Sequence, residues 1–413
     1  MRMNTQQARI LLEKLPRARL GFFPTPLMRL NRMSELLGVN LFIKRDDFTG
    51  ISLFGGNKVR KLEYLLGQAQ ASGATYVITY GATQSNHAME TAAACRRLGI
   101  EPILYLTAVV PPRADELRAN LLLDHLLGAE IHIIPIEPGE TEAEAEARSF
   151  RMGSERAAEL NASGHICADI PMGGANALGS VGFAAAMVEL QEQCDAMDDL
   201  HFSRIYHSTG TGGTMAGLHA GRAMLGVDTQ IMSVAASEKN EASYINRVHA
   251  LCLAVLGWIG SGAVPKREEM RLDLSQWQPG YEMPSDTASE AILLLARTEG
   301  LFVDPVYTGK ALAGLLADVR SGAIKKGENI LFWHTGGTTA LFAEPEILGF
   351  QHYRELQHAK YYMPHPDAPT CIGFEPGKNP AFVKELMHSF ASCSIDCKLM
   401  SEERFRLADY KLP

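Results

Sequence analysis

From Tyr76 onward the chain alternates between β-rich runs and helical runs, and this leaves few folds open to it. Tyr76-Val77-Ile78-Thr79-Tyr80 reads as a strand, Gln84 to Leu98 as a helix, and Ile103 to Leu106 as the next strand. A helix over Leu117 to Leu127 and a strand over Ile131 to Ile134 follow. A second block of the same kind starts at Ile166. It holds a helix from Gly179 to Gln193 and strands at Ile205 to His207, Ile231 to Val234 and Ile330 to Trp333. Further helices run from Ser285 to Thr298 and from Lys310 to Val319. Strands joined by helices pair in parallel, because the right-handed crossover returns the chain to the same end of the sheet. The expected fold class is α/β: two open, mostly parallel-sheet, three-layer domains, the smaller inserted in the larger. The smaller is placed at 55–165 and the larger at 1–54 and 166–350. Residues 351–413, with several prolines and no alternation, stand as an appended segment.

The N-terminal part adds an opening helix over Gln6 to Leu15 and an extended Phe23-Pro24-Thr25-Pro26-Leu27. A helix near Leu30 to Leu37 closes at Gly38, and Asn40 to Lys44 forms a short strand. The Glu- and Ala-rich Glu140 to Leu160 reads as a solvated helix without a function.

A chain of 413 residues, 46% hydrophobic and 21% charged, buries a large core. Its formal charge of −8 argues against nucleic acid or an anionic membrane as partner, yet permits a local basic pocket. The odd and scattered set of 7 cysteines suits free thiols in a reducing cytoplasm. Cys393 and Cys397 lack a second ligand pair, so no metal is expected. The N-terminus has no apolar signal core. The run from Leu251 to Val264 is broken by Gly257, Gly260 and Gly262 and is too short to span a bilayer.

Several stretches carry residues suited to chemistry. Phe54-Gly55-Gly56-Asn57-Lys58 turns into a helix marked by Val59, Leu62, Leu65 and Leu66, which puts Lys58 near a helix N-terminus. A lysine beside positive helix ends and other cations loses its proton more easily, as an attacking amine requires. Ser208-Thr209-Gly210-Thr211-Gly212-Gly213-Thr214 joins a strand to a helix, with the glycines and amides to cradle one small phosphate. Neither the P-loop lysine nor the dinucleotide spacing is present. Gly81-Ala82-Thr83-Gln84-Ser85-Asn86-His87 offers hydroxyl, amide and imidazole at a helix start, which suits a carboxylate, although Ser85 also serves there as a plain cap. Tyr281 and Tyr307 sit on loops, and His334-Thr335-Gly336-Gly337 follows a strand. In open parallel sheets the ligand crevice lies at such strand ends.

In chain order, Gly55-Gly56-Asn57-Lys58, Gln84-Ser85-Asn86-His87, Thr209-Gly210-Thr211-Gly212-Gly213-Thr214, Asp304-Pro305-Val306-Tyr307-Thr308-Gly309-Lys310 and His334-Thr335-Gly336-Gly337 resemble the pyridoxal-phosphate enzymes of fold type II, whose domains are tryptophan synthase β-like. The nearest group is that of D-cysteine desulfhydrase and 1-aminocyclopropane-1-carboxylate deaminase, and the resemblance spans roughly Leu20 to Phe350. It implies a Schiff base between Lys58 and pyridoxal 5'-phosphate, with the phosphate held by Lys61, Thr209, Gly210, Thr211, Gly212, Gly213 and Thr214. Asn86 would lie near the ring hydroxyl and Thr335 at the ring nitrogen. Ser85, Asn86 and His87 would receive the substrate carboxylate, while Tyr281 and Tyr307 would face the substrate. Two positions favour the desulfhydrase: His87 stands where the deaminases resemble a glutamine, and Thr308 where they carry a glutamate on the ring nitrogen. The chain departs from the family's usual form at Ala82-Thr83 and at Met89-Glu90.

The implied activity is a β-elimination on a small amino acid, D-cysteine leading, that releases pyruvate, hydrosulfide and ammonia. Lys58, Ser85 or Tyr281 would take the α-proton and Tyr307 would steer the leaving group. A cyclopropane deaminase and a lyase for cysteate or D-serine fit the same residues. A dinucleotide-dependent oxidoreductase leaves Lys58 and the turn from Gln84 to His87 unexplained, and a non-catalytic small-ligand-binding protein is the weakest rival. Relatives imply a homodimer.

Overall fold

A computed structural model describes residues 3–52, 54–109 and 117–342. The appended segment 351–413, with Cys371, Cys393 and Cys397, lies outside them. The strands are β1 (Leu27–Arg29), β2 (Asn40–Arg45), β3 (Tyr76–Ala82), β4 (Glu101–Ala108) and β5 (Glu130–Pro135), then β6 (Cys167–Ile170), β7 (Arg204–Thr209), β8 (Gln230–Ala235), β9 (Arg271–Asp273) and β10 (Asn329–His334). They form a six-stranded sheet in the order β1-β2-β10-β7-β8-β9 and a four-stranded sheet in the order β5-β4-β3-β6. Among the described strands only β1, against β2, runs antiparallel. The helices are α1 (Thr5–Leu12), α2 (Asn31–Leu37), α3 (Asn57–Ala71), α4 (Asn86–Leu98), α5 (Ala119–Leu126) and α6 (Glu142–Ala162). They continue with α7 (Ala177–Asp195), α8 (Gly213–Leu225), α9 (Glu241–Ile259), α10 (Asp286–Glu299) and α11 (Thr308–Arg320).

The smaller sheet takes in residues beyond the expected insert. The start of the second block, at which no strand is expected, forms β6 and pairs with β3 (Tyr76 with Cys167, Thr79 with Ile170), so the smaller sheet runs past 165. Which edge a strand joins depends on partners distant in sequence, which the alternation alone does not encode. At the other end, α3 packs on α7: Val59, Leu62 and Leu66 join Val181, Phe183 and Ala185 in the main core. The helix that carries Lys58 thus leans on the larger sheet's layer.

α7 is buried almost all round, and its small residues let neighbours come close. Gly217 of α8 rests against the Ser180 carbonyl and the Phe183 side chain, where a Cβ has no room. We expect Gly217→Ala to cost about 1–3 kcal/mol through overpacking, read as a lowered thermal midpoint.

Two helices differ from the sequence reading. The apolar run after Leu251 belongs to α9, which by length and composition alone is apolar enough to cross a membrane. Here it packs one face on the core, burying Tyr244, Ile245, Val248, Cys252, Val255, Leu256 and Ile259, while Leu253 and Trp258 stay exposed. α6, read as solvated, begins at a capping box between Thr141 and Glu144 and buries Ala145, Ser149, Gly153 and Leu160. Its first turns also line the cavity described next.

Candidate active site

At the carboxyl ends of β3, β7 and β10 lies a cavity of about 870 Å³. Lys58, Lys61, Ser85, Asn86, His87, Thr209, Gly210, Thr211, Gly212, Thr214, Tyr281, Tyr307 and Thr335 all line it. Motifs far apart in sequence converge there because each leaves its sheet at the same end.

Lys58 is the second residue of α3, after the N-cap Gly56. The turn after β10 pins that start: the Asn57 amide donates to the Thr335 carbonyl at 2.9 Å, and Gly56 bridges to Gly336. The Lys58 ammonium donates to Asn57 Oδ1 at 2.8 Å. Burial pushes its pKa down, and Glu90 and then Asp304 pull in the opposite direction. One turn on, Lys61 is 1% exposed and donates to the Gly173 carbonyl at 3.0 Å. Burial, helped by the Lys58 charge, pushes Lys61 well below the ordinary lysine value.

The loop after β7 enters α8 through Gly212, whose φ of 87° favours glycine. A Cβ on Gly213 would meet Lys61 Nζ at 2.9 Å and Ser180 Oγ at 3.0 Å. The Ser180 hydroxyl is buried without a partner. An ammonium, a free hydroxyl and a helix N-terminus therefore converge on a niche kept open by glycine, which suits a small dianion. Not every residue of the motif points there. Thr209 Oγ1 is 2.7 Å from the Tyr244 hydroxyl of α9, and that hydroxyl donates to the Gly210 carbonyl at 3.1 Å. Thr214 Oγ1 accepts from Asn57 Nδ2 at 3.0 Å, tying this loop to the lysine loop. Tyr244 was missed in sequence because α9 carries no local sign of touching a loop 34 residues away.

After β3, Ser85 is the N-cap of α4 and accepts the Ala88 amide at 3.2 Å. Asn86 Oδ1 accepts from Asn120 Nδ2 at 2.7 Å and from Thr339 Oγ1 at 3.2 Å, so its amide is held in place. His87 departs from expectation. Thr79 spends its hydroxyl proton on the Ile170 carbonyl, so it accepts from His87 Nε2–H at 2.8 Å. Nδ1 is left a lone-pair acceptor without a partner. Burial and the charges of Lys58 and Lys61 push the imidazole pKa well down. A neutral acceptor cannot receive a carboxylate. The donors left for one are the first amides of α4, which a helix cannot satisfy internally, and the Ser85 hydroxyl.

The tyrosine hydroxyls of Tyr281 and Tyr307 hydrogen-bond to each other, with ring centroids 6.0 Å apart. Burial pushes both phenols up, so each keeps its proton and neither suits the role of base. Two buried groups unassigned in the sequence set this pair. Asp304 accepts the amides of Val306, Tyr307 and Thr308 at 2.9, 2.7 and 2.8 Å, shaping the turn before α11. Lys310 donates to the Trp277 and Gly280 carbonyls at 3.0 and 2.7 Å, holding the Tyr281 loop. Thr308 spends its hydroxyl on Asp304 and is absent from the cavity wall. Thr335 lines it, 3.3 Å from Ser208 Oγ. Among the described residues no cluster could hold a metal ion.

Residues 18–336 match the family model for pyridoxal-phosphate dependent enzymes. The chain is 38% identical over 333 residues to a provisional 1-aminocyclopropane-1-carboxylate deaminase of Pyrococcus furiosus, covering 80% of this chain and 95% of that one. It is also 38% identical over 335 residues to the D-cysteine desulfhydrase of Klebsiella pneumoniae, covering 80% and 97%. The crystal structure of a homologue of 1-aminocyclopropane-1-carboxylate deaminase superposes with a TM-score of 0.72 at 34% identity, over 82% of this chain and 97% of that one.

Proposed function

This chain belongs to the pyridoxal-phosphate-dependent enzymes, with the fold type II architecture, and on that premise we propose that it eliminates the β-substituent of a small amino acid, D-cysteine first. The chain's residues fit the cofactor. Lys61, Ser180 and the start of α8 form an anion niche, and among the described residues the buried Lys58 and Lys61 make no hydrogen bond to a carboxylate. Lys58 would hold the cofactor through its amine, Lys61 and the loop from Gly210 to Thr214 would hold its phosphate, and Thr335 would meet the ring nitrogen. When bound, pyridoxal phosphate supplies the electron sink that weakens bonds at Cα.

The remaining steps fall to the chain itself. The N-terminal amides of α4 and the Ser85 hydroxyl bind the substrate carboxylate. Lys58, its pKa lowered by burial, takes the α-proton as a neutral amine. The protonated pair of Tyr281 and Tyr307 donates to the sulfur that leaves Cβ. Hydrolysis of the remaining three-carbon unit yields pyruvate and ammonia.

The observation that carries this reading is the hydroxyl pair of Thr335 and Ser208 in the cavity wall, while Thr308 is turned onto Asp304. Opening a cyclopropane demands a strong electron sink, which a carboxylate at the ring nitrogen provides by keeping it protonated. A neutral hydroxyl there suffices to lose a good leaving group. A cytoplasmic homodimer completes the proposal. The unpaired thiols of Cys95, Cys167, Cys194 and Cys252 support a reducing compartment, and a mass measurement in solution tests the dimer.

The deciding experiment records the visible spectrum of the purified protein, adds D- or L-cysteine, and assays sulfide and pyruvate. A visible band with sulfide from D-cysteine alone is expected. The band without sulfide would remove D-cysteine as substrate, and turnover of the cyclopropane acid would then favour the deaminase.

A further inference from the structure

Glu90 of α4 is a buried carboxyl, 3% exposed, that the steps above do not use. Its Oε2 accepts the Val59 amide at 3.1 Å, and its Oε1 presses on Gly56, where any Cβ would clash. Gly56 has no side chain with which to cap α3, so Glu90 supplies the cap from another helix. It thereby bonds the residue after Lys58 and packs against Gly56, two residues before it. We propose that Glu90 is the positioning residue of Lys58, clamping the first turn of α3 and setting by its own ionisation whether the Lys58 amine is charged. The inference rests on the reading of Lys58 given above.

Lys58 and Lys61 of α3 and Asp46 beyond β2 act on Glu90, while Glu90 and Asp304 act on Lys58. Burial outweighs the two cations and the Val59 amide and pushes the carboxyl up to about 8. Carboxylate with ammonium and carboxylic acid with amine carry the same net charge, so the buried pair can hold its shared proton in either form. The two groups titrate as one system. An ionised Glu90 favours the ammonium, and a neutral one releases the amine. The departure from the family's usual form at Met89-Glu90 thus falls on the residue that adjusts the reactive lysine.

Glu90→Gln keeps an acceptor for the Val59 amide and removes the titration. The test loads cofactor-free protein with pyridoxal phosphate at a series of pH values and follows the rate at which the visible band appears. In the variant the profile is expected to shift toward acid by about one pH unit, because an opposite charge no longer holds the ammonium. Profiles that superpose, or an alkaline shift, would overturn the proposal. A wild type that never loads would instead sink the reading of Lys58 itself. Should the variant not fold, wild-type protein labelled with 13C at the glutamate side-chain carboxyl decides the matter by NMR. One glutamate titrating through about 8 in cofactor-free protein is expected, and all glutamates titrating in the acidic range would overturn it.

Discussion

Lys58→Ala is expected to abolish turnover and the visible absorbance of bound pyridoxal phosphate together. The amine is the covalent anchor and the base in one group, so its loss removes about 10³-fold or more of the rate. The fold should survive, because among the described residues the Lys58 ammonium bonds only to its neighbour Asn57, and the first turn is held by Glu90 and Thr335 instead. Circular dichroism and the thermal midpoint of the cofactor-free variant check this. Retention of both turnover and absorbance would remove Lys58 from the mechanism. Retained absorbance with lost turnover would leave it only the catalytic role.

The second large effect is on stability, and its seat is directly beneath Lys58. Asp46 is fully buried and accepts from Arg60 Nε and Nη2 at 2.7 Å each, from Thr25 Oγ1 at 2.9 Å and from Trp333 Nε1 at 2.8 Å. Arg60 reaches on to Glu189 of α7 at 2.9 and 3.0 Å, and Lys44 of β2 bonds the same carboxylate at 2.6 Å. This network joins α3, α7, β2 and β10 two residues from Lys58. Asp46→Ala leaves a buried guanidinium short of one charge and the Trp333 indole N–H unpaired, at an expected cost of about 3–5 kcal/mol. A chemical denaturation midpoint measures it, and a cost below about 1 kcal/mol would show that the network tolerates the gap.

The same network makes stability depend on pH in a stated direction. Burial raises the Glu189 carboxyl, but Arg60 and then Lys44 outweigh it and hold it down to about 2. Its folded pKa lies below the unfolded value, so its stabilisation is full above the usual carboxylate range. That contribution is lost as pH falls toward about 2.

Much of the site was legible because its motifs are local. The glycines and amide before Lys58, the turn from Gln84 to His87 and the loop from Thr209 to Thr214 each sit between a strand and a helix, and the alternation points their ends at one crevice. His87 and Tyr281 show where that reasoning stops. Their residue types allowed a carboxylate receiver and a base, but burial and the partners Thr79 and Tyr307 leave a neutral acceptor and a proton donor. Glu90 was visible in the sequence only as a departure from the family's form, since nothing around it shows that α4 folds back on α3.

By itself, the sequence of this protein determined periodic and local matters: the parallel α/β class, the helix start at Lys58, the cap at Ser85 and the glycine turn into α8. Those follow from side-chain spacing and backbone freedom within a few residues. The tertiary structure alone decided that β6 joins the smaller sheet, that α3 leans on α7, and that Glu90, Asp304 and Lys61 share an interior with Lys58. Protonation in that interior depends on which charges are buried together and how far water is excluded. Those are properties of the assembled chain and of no segment of it.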